Sequence, residues 1–221
     1  MTRTGLNISK GNMYEFVTHT WNTIKGECYH DCSYCYMKRW GKLKSVHFDE
    51  KELKTDLGKG NFIFVGSSCD MWAQNIPDEW IFKTLCHCNK YEENSYLFQT
   101  KNPCNIRRIL VPNSNVCVTL ETNRYYSDIM MNCPTPQQRT EQMQLIRHPL
   151  YITIEPIMDF DLPKFIEMLK KCEPIQVNIG ADSGRNGLPE PSKEKLLELI
   201  SELQKFTIIH KKNNIKRIIT N

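Results

Sequence analysis

The chain has 221 residues, 40% of them hydrophobic, and a formal net charge of +4 with an isoelectric point near 8.5. This length and apolar content suit a single domain over residues 1–221. The charge is lower than that of a dedicated nucleic-acid-binding domain. No secretory signal opens the chain, and no run reaches the roughly 18 apolar residues that span a bilayer. We therefore expect a soluble, cytoplasmic protein with no membrane partner.

Short runs rich in β-branched and aromatic residues predict six strands along the chain. The predicted strands are 15–21, 62–65, 95–99, 116–120, 151–154 and 175–179. Between them, capping residues and apolar positions with helical spacing predict helices. The predicted helices begin near Asp49, Pro77, Thr135, Leu162 and Ser192, and the first is expected to end at Gly58.

The alternation of strands and helices is typical of βαβ units around a parallel sheet. Six units fit the length, whereas a complete (β/α)8 barrel typically needs about 250 residues. We therefore predict an α/β fold: a single-domain partial (β/α)6 barrel of parallel strands, similar to part of a TIM barrel. An open doubly wound sheet is the alternative.

Three cysteines in one loop are the most specific local feature. Cys28, Cys32 and Cys35 have the spacing C-x3-C-x2-C, with Tyr34 just before the last. Three thiolates this close can bind one soft metal centre and leave a fourth coordination position open. The loop region, residues 22–40, follows the first predicted strand, and sites in α/β folds form at the carboxyl ends of strands.

Two other interpretations of the loop remain open. His30 or His47 could complete a structural zinc site, or the cysteines could be incidental. Ten cysteines in a chain without a signal indicate reduced thiols rather than disulfides.

Two basic groups could bind phosphate or merely form a solvated surface: Lys38, Arg39, Lys42 and Lys44 after the loop, and Lys211, Lys212, Lys216 and Arg217 in a basic extension over about 206–221. Zinc plus these groups would make a non-catalytic, zinc-stabilised nucleic-acid-binding module.

The cysteine loop resembles the cluster-binding motif of the radical S-adenosylmethionine (SAM) superfamily. Further segments resemble a phage-associated family of radical-SAM-like proteins that is distantly similar to spore photoproduct lyase. After the successive strands these segments are 66–72, 100–103, 120–123, 154–156 and 180–184. The resemblance covers roughly residues 20 to 190, and Asp182 stands where the family usually has Glu.

The resemblance implies an enzyme in which Cys28, Cys32 and Cys35 hold a [4Fe-4S] cluster that binds SAM. Reductive cleavage of SAM then gives a 5′-deoxyadenosyl radical, which abstracts a hydrogen from the substrate. The cofactor does the difficult chemistry while the protein orients it. The residues implied in cofactor binding are Tyr34, Gly66, Ser67, Ser68, Asp70, Thr119, Glu121, Asn123, Ile154, Gly180 and Ala181.

Candidates for catalysis are acids, cations and thiols near the strand ends. Glu155 and Asp182 could each bind substrate, move a proton or form a structural ion pair with Lys101. Lys101 and Arg185 are the cations expected at the mouth of the site, and Cys69 or Cys117 could donate a hydrogen atom to a product radical.

The expected partners are an external one-electron donor of the flavodoxin or ferredoxin type and the substrate. A small barrel without an obvious lid favours a large substrate, such as a nucleic acid or a nucleotide-containing molecule. If the chain is phage-encoded, the expected location is the host cytoplasm.

Overall fold

A mostly parallel sheet of eight strands forms the centre of the protein. The computed structural model describes residues 5–108 and 111–220. The sheet contains β1 (Asn7–Ile8), β2 (His19–Trp21), β5 (Phe62–Val65), β6 (Ser95–Thr100), β7 (Ser114–Thr119), β8 (Leu150–Ile154), β9 (Gln176–Ile179) and β10 (Ile208–Lys211). A separate two-stranded sheet contains β3 (Ile24–Lys25) and β4 (His47–Phe48). All six predicted strands are present, with ends shifted by a few residues.

The parallel strands lie side by side in the order in which they occur along the chain, from β2 and β5 to β10. Within the eight-stranded sheet of the described residues, β1 alone is antiparallel, and it pairs with β2 at one edge. A doubly wound sheet reverses its strand order at a switch point. The uninterrupted order therefore fits the predicted partial barrel and excludes the doubly wound alternative.

The sheet curves so that its two ends approach each other. The Phe16 ring, just before β2, lies 6.2 Å from the His210 ring in β10 and 5.6 Å from Tyr151 in β8. This contact closes one end of the curved sheet and confirms the predicted partial barrel.

Helices lie between and after the strands along the chain, and the longer ones contribute buried residues to the main core. They are α1 (Asp78–Cys88), α2 (Ser127–Met130), α3 (Pro136–Met143), α4 (Leu162–Lys171), α5 (Lys193–Leu203) and α6 (Lys216–Ile219). Short 3-10 helices span Tyr36–Trp40, Glu50–Lys54, Asn105–Arg108 and Asn213–Ile215. The Thr135 cap of α3 is present as predicted, with reciprocal hydrogen bonds to Gln138. In α4, Phe165, Ile166 and Leu169 are buried as their spacing predicts.

The helix predicted from Asp49 to Gly58 is wrong. Residues Glu50–Lys54 form one 3-10 helix, and Asp49 accepts a hydrogen bond from the Lys51 N–H at 3.2 Å. Glu52 does not close a capping box, because its carboxylate is fully buried and accepts from Lys25 Nζ at 2.6 Å.

The predicted C-terminal extension is also corrected. Its residues supply β10, which pairs in parallel with β9, followed by Asn213–Ile215 and α6. The strand was missed because His210 and Lys211 interrupt its apolar run, and Ile208 is exposed at the edge of the sheet.

The cysteine loop leaves β3 and leads into the 3-10 helix Tyr36–Trp40. β3 follows β2 closely, so the loop lies at the carboxyl edge of the parallel sheet, as predicted. In the described part of the chain, no helix has the length and apolar character needed to cross a membrane.

Candidate functional site

A cavity of about 1000 Å³ lies at the carboxyl edge of the sheet. Each parallel strand from β5 to β10 contributes a lining residue at its carboxyl end or within two residues of it. In strand order these residues are Gly66, Thr100, Thr119, Glu155, Ala181 and Lys212. The cysteine loop and residues 10–14 cover the remaining sides. The strand ends predicted to form the site therefore share one cavity.

All three loop cysteines line this cavity. Tight turns hold them: the Asp31 N–H donates to the Cys28 carbonyl and the Cys35 N–H to the Cys32 carbonyl, each at 3.1 Å. Asp31 has a positive φ of 49°, which this sharp reversal requires. The loop conformation therefore places three thiols on one wall.

Two further thiols lie against the loop. The Cys32 and Cys133 sulfurs are 3.4 Å apart, and Cys69 lies within hydrogen-bonding distance of Cys28. These hydrogen bonds are the main cause that lowers the pKa of Cys28 to about 7 and of Cys32 to about 6. Burial raises the pKa of Cys35. Two of the three thiols thus lose their proton more easily than an ordinary cysteine, and the thiolate is the form that binds metal.

Asp70 connects the loop to the sheet. His30 Nε2 lies 2.8 Å from Asp70 Oδ2, which also accepts from the Thr100 hydroxyl at 2.9 Å and the Lys101 N–H at 2.8 Å. Burial raises the pKa of Asp70, but His30 and the backbone donors outweigh it and hold the pKa below its usual range. Asp70 lines the cavity, and its carboxylate already has several protein donors.

A fully buried ion pair supports Tyr34. Arg139 Nη1 donates to Glu121 Oε2 at 2.7 Å, and neither side chain is exposed to solvent. The Tyr34 hydroxyl donates to the other Glu121 oxygen. Lys101 Nζ lies 5.5 Å from the centre of the Tyr34 ring. Burial lowers the pKa of Lys101, but the neighbouring Cys32 and Glu121 outweigh it and raise the pKa, so a cation lies beside the loop thiols.

Glu155 organises the opposite end of the cavity. Its carboxylate accepts from Lys212 Nζ at 2.6 Å, Asn214 Nδ2 at 2.9 Å and Asn12 Nδ2 at 2.7 Å. Lys212 Nζ also lies 4.5 Å from the centre of the Tyr14 ring. Segments before β2 and after β10 therefore meet at this carboxylate.

The segment after β5 presents an unpaired hydroxyl. Gly66 has a φ of 80°, a left-handed conformation that favours glycine. Asn22 Oδ1 accepts from the Ser67 hydroxyl at 3.2 Å and the Ser68 N–H at 2.9 Å. Within the described residues, the buried Ser68 hydroxyl has no hydrogen-bond partner, although Ser68 lines the cavity. A buried polar atom without a partner is costly, so this position suits a polar ligand.

The structure does not bring every predicted residue to the cavity. Outside its lining lie Glu121, Asn123, Ile154, Gly180, Arg185 and Cys117. Asn123 accepts from the Asp161 N–H at 2.8 Å, and Ile154 and Cys117 are fully buried in the core. Arg185 is exposed on a separate shallow surface. Asp182 does line the cavity, but its carboxylate accepts from Asn186 and the Gly184 N–H.

Several lining or supporting residues were not predicted for this site. Lys212 was considered only as a phosphate-binding cation, Asn214 lies in the segment interpreted as an extension, and Tyr14 precedes the first predicted strand. Arg139 and Cys133 carry no local signal, because a charged residue on a short helix is usually exposed and an isolated cysteine is usually a small core residue.

The arrangement of the thiols differs from that of a single-ion site. Among residues 5–108 and 111–220, no three Cys, His, Asp or Glu side chains are grouped as one metal ion requires. The two histidines considered for zinc are bonded elsewhere, His30 to Asp70 and His47 to the Ser45 carbonyl. In a [4Fe-4S] cluster each thiolate binds a different iron, so the sulfurs need not surround one point. Three thiols on one cavity wall fit that donor set.

Comparisons with known proteins identify a fold relationship. No protein-family model matches the sequence, and no curated protein matches it. Solved structures of spore photoproduct lyase do match. One mutant aligns with a TM-score of 0.66 at 8% identity, over 92% of this chain and 78% of the other. A second mutant, with bound AdoMet and dinucleoside spore photoproduct, aligns with a TM-score of 0.59 at 10% identity, over 89% of this chain and 64% of the other. This chain thus spans less than two thirds of the length of the second, and the two proteins share a fold.

Proposed function

We propose that this protein is a radical SAM enzyme that binds one [4Fe-4S] cluster and SAM in the cavity at the carboxyl edge of the sheet. The observation that carries this proposal is that Cys28, Cys32 and Cys35 line one cavity with the ends of six parallel strands. The shared fold with spore photoproduct lyase, which has been solved with bound AdoMet, supports it.

The cluster, when bound, supplies an electron from an external flavodoxin- or ferredoxin-type donor for the reductive cleavage of SAM to a 5′-deoxyadenosyl radical. The chain's own residues bind and orient. Lys101 lies beside the thiols and offsets the negative charge that three thiolates bring into a buried site. Ser68 offers a free hydroxyl to the polar end of SAM, and Thr119 and Ala181 line the path along the strand ends.

A nucleic acid or a nucleotide-containing molecule is the proposed substrate. The helix Tyr36–Trp40 carries Lys38 and Arg39, which line the cavity, and an exposed Trp40 at 69% of its full accessibility. Cations interleaved with an exposed indole are suited to phosphates and stacked bases. The dinucleoside ligand of the similar structure supports the same class.

Anaerobic reconstitution with iron and sulfide tests the cofactor assignment. The wild-type chain should become brown and hold about four irons, and Cys32→Ala should lose them. Cys172→Ala is the matched control, since Cys172 is also buried but lies outside the cavity lining. A colourless protein carrying one zinc would contradict the proposal.

With dithionite and SAM, the reconstituted protein should release 5′-deoxyadenosine, whereas formation of methylthioadenosine alone would refute the radical reaction.

Fluorescence anisotropy of a dye-labelled single-stranded oligonucleotide tests the substrate class. The dye is on the oligonucleotide, so the affinity of a variant without Trp40 is measured in the same way as that of the wild type. Loss of base stacking in Trp40→Ala costs about 1–3 kcal/mol, which weakens binding at least about fivefold. Phe82→Ala is the control, because Phe82 is 67% exposed on α1 and lies outside the cavity lining. Equal affinities of the wild type and Trp40→Ala would argue against this surface.

A further inference from the structure

Cys133 contacts the cysteine loop from outside the cavity. Its sulfur lies 3.4 Å from that of Cys32, and the two residues are only 6% and 5% exposed. Cys133 does not line the cavity, in contrast to Cys69, which does. Any effect of Cys133 on a ligand in the cavity must therefore act through Cys32.

The segment that carries Cys133 is fixed to the loop by backbone hydrogen bonds. The Asn132 N–H donates to the His30 carbonyl at 3.2 Å, and the Ser33 N–H donates to the Ile129 carbonyl at 3.0 Å. These bonds flank Cys32 in the loop, and on the other segment both lie just before Cys133. They fix the two segments relative to each other, so the backbone holds the Cys133 and Cys32 side chains in contact.

The surroundings determine which sulfur donates. Met130 and Met158 pack around the two thiols in a small apolar cluster. Two sulfurs 3.4 Å apart are within hydrogen-bonding distance, and in such a bond one sulfur donates and the other accepts. When Cys32 ligates iron as a thiolate it can only accept, and Cys133 is then the donor.

We infer that Cys133 is a positioning residue that donates an S–H hydrogen bond to the Cys32 thiolate and thereby raises the reduction potential of the bound cluster. The inference rests on the proposed function, because it needs a cluster on Cys32. Hydrogen bonds to ligating sulfurs stabilise the reduced, more negative cluster more than the oxidised one. Cys133 would thus ease electron uptake without touching SAM or substrate.

The test is a redox titration of the reconstituted protein, followed by the electron paramagnetic resonance signal of the reduced cluster. Cys133→Ala should lower the ratio of reduced to oxidised cluster about tenfold at a fixed potential, a shift of about 59 mV for a one-electron couple. Cys133→Ser keeps an O–H donor and should recover most of the shift. Cys172→Ala, another buried cysteine, should not shift the potential.

Iron content distinguishes the remaining outcomes. Loss of iron from Cys133→Ala that Cys133→Ser restores also supports a donor at this position. An unchanged potential in Cys133→Ala, an equal shift in both variants, or loss of iron from both would overturn the inference. A wild-type chain that assembles no four-iron cluster would overturn the proposed function as well, whereas a normal wild-type cluster with an unshifted Cys133→Ala overturns only this inference.

Discussion

The buried pair of Glu121 and Arg139 supports the sharpest prediction about stability. Glu121→Ala leaves the Arg139 guanidinium buried and without a counter-charge, while its Nη1 still donates to the Thr119 carbonyl at 2.8 Å. Breaking a buried ion pair by removing one partner costs about 3–5 kcal/mol. A chain of this size loses about 2–4 °C of melting temperature per kcal/mol, so the variant should melt about 6–20 °C lower.

Urea unfolding of the metal-free chain at pH 7, followed by circular dichroism, measures this cost. The double variant Glu121→Leu/Arg139→Met removes both charges and should be more stable than Glu121→Ala alone. Tyr34→Phe removes only the phenol donor and should cost about 1.5–3 kcal/mol. A loss below about 1 kcal/mol for Glu121→Ala, or a double variant as unstable as the sum of its single variants, would refute a strongly coupled pair.

The contribution of Glu121 to the free energy of unfolding should decrease in acid. Burial raises the pKa of Glu121, but Arg139, Lys101 and Tyr34 outweigh it and lower the pKa below its ordinary value. A depressed carboxyl pKa stabilises the fold above the unfolded value of about 4.3, and this stability is lost as the pH falls through the folded value. The difference in unfolding free energy between the wild type and Glu121→Gln should therefore be constant near pH 7 and shrink below about pH 4. A difference that grows in acid would contradict this assignment.

Three further predictions concern the loop and the cavity. Lys25→Met should cost about 3 kcal/mol in urea unfolding, because it leaves the fully buried Glu52 carboxylate without its cation. Gly26→Ala should destabilise the chain and reduce iron uptake, since a Cβ there would lie 2.6 Å from the Ser45 carbonyl oxygen; normal unfolding and iron content would contradict this. Ser68→Ala should weaken SAM binding about 2- to 12-fold in calorimetry, which corresponds to one hydrogen bond of about 0.5–1.5 kcal/mol, while iron content stays unchanged. Unchanged SAM affinity would show that the hydroxyl does not bind the cofactor.

Local signals predicted much of the fold. The β-branched run Phe62–Val65 is a strand with the predicted bounds, and the capped start at Thr135 begins a helix as predicted. Both elements are stabilised by residues close together in the chain: β-branched and aromatic side chains in the strand, and a side-chain cap at the start of the helix. β10 was missed because its partner strand, rather than its own composition, stabilises a half-exposed edge strand.

The candidate site was predictable where it follows strand ends and unpredictable where it depends on long-range pairing. Gly66 and Lys101 lie at strand ends and line the cavity as expected. Glu121 also follows a strand, but its side chain turns toward Arg139 on α3 instead of the cavity. Cys133 contacts a residue 101 positions away, and no sequence spacing signals such a pair.

The meeting of the first and last parts of the sheet has a consequence for biosynthesis. The cysteine loop leaves the ribosome early, whereas Lys212, which binds Glu155 at the cavity wall, is synthesised about 180 residues later. Until β10 pairs with β9, the loop thiols face an unfinished pocket. A ligand that needs the complete cavity can therefore bind only after β10 has been synthesised and has paired with β9.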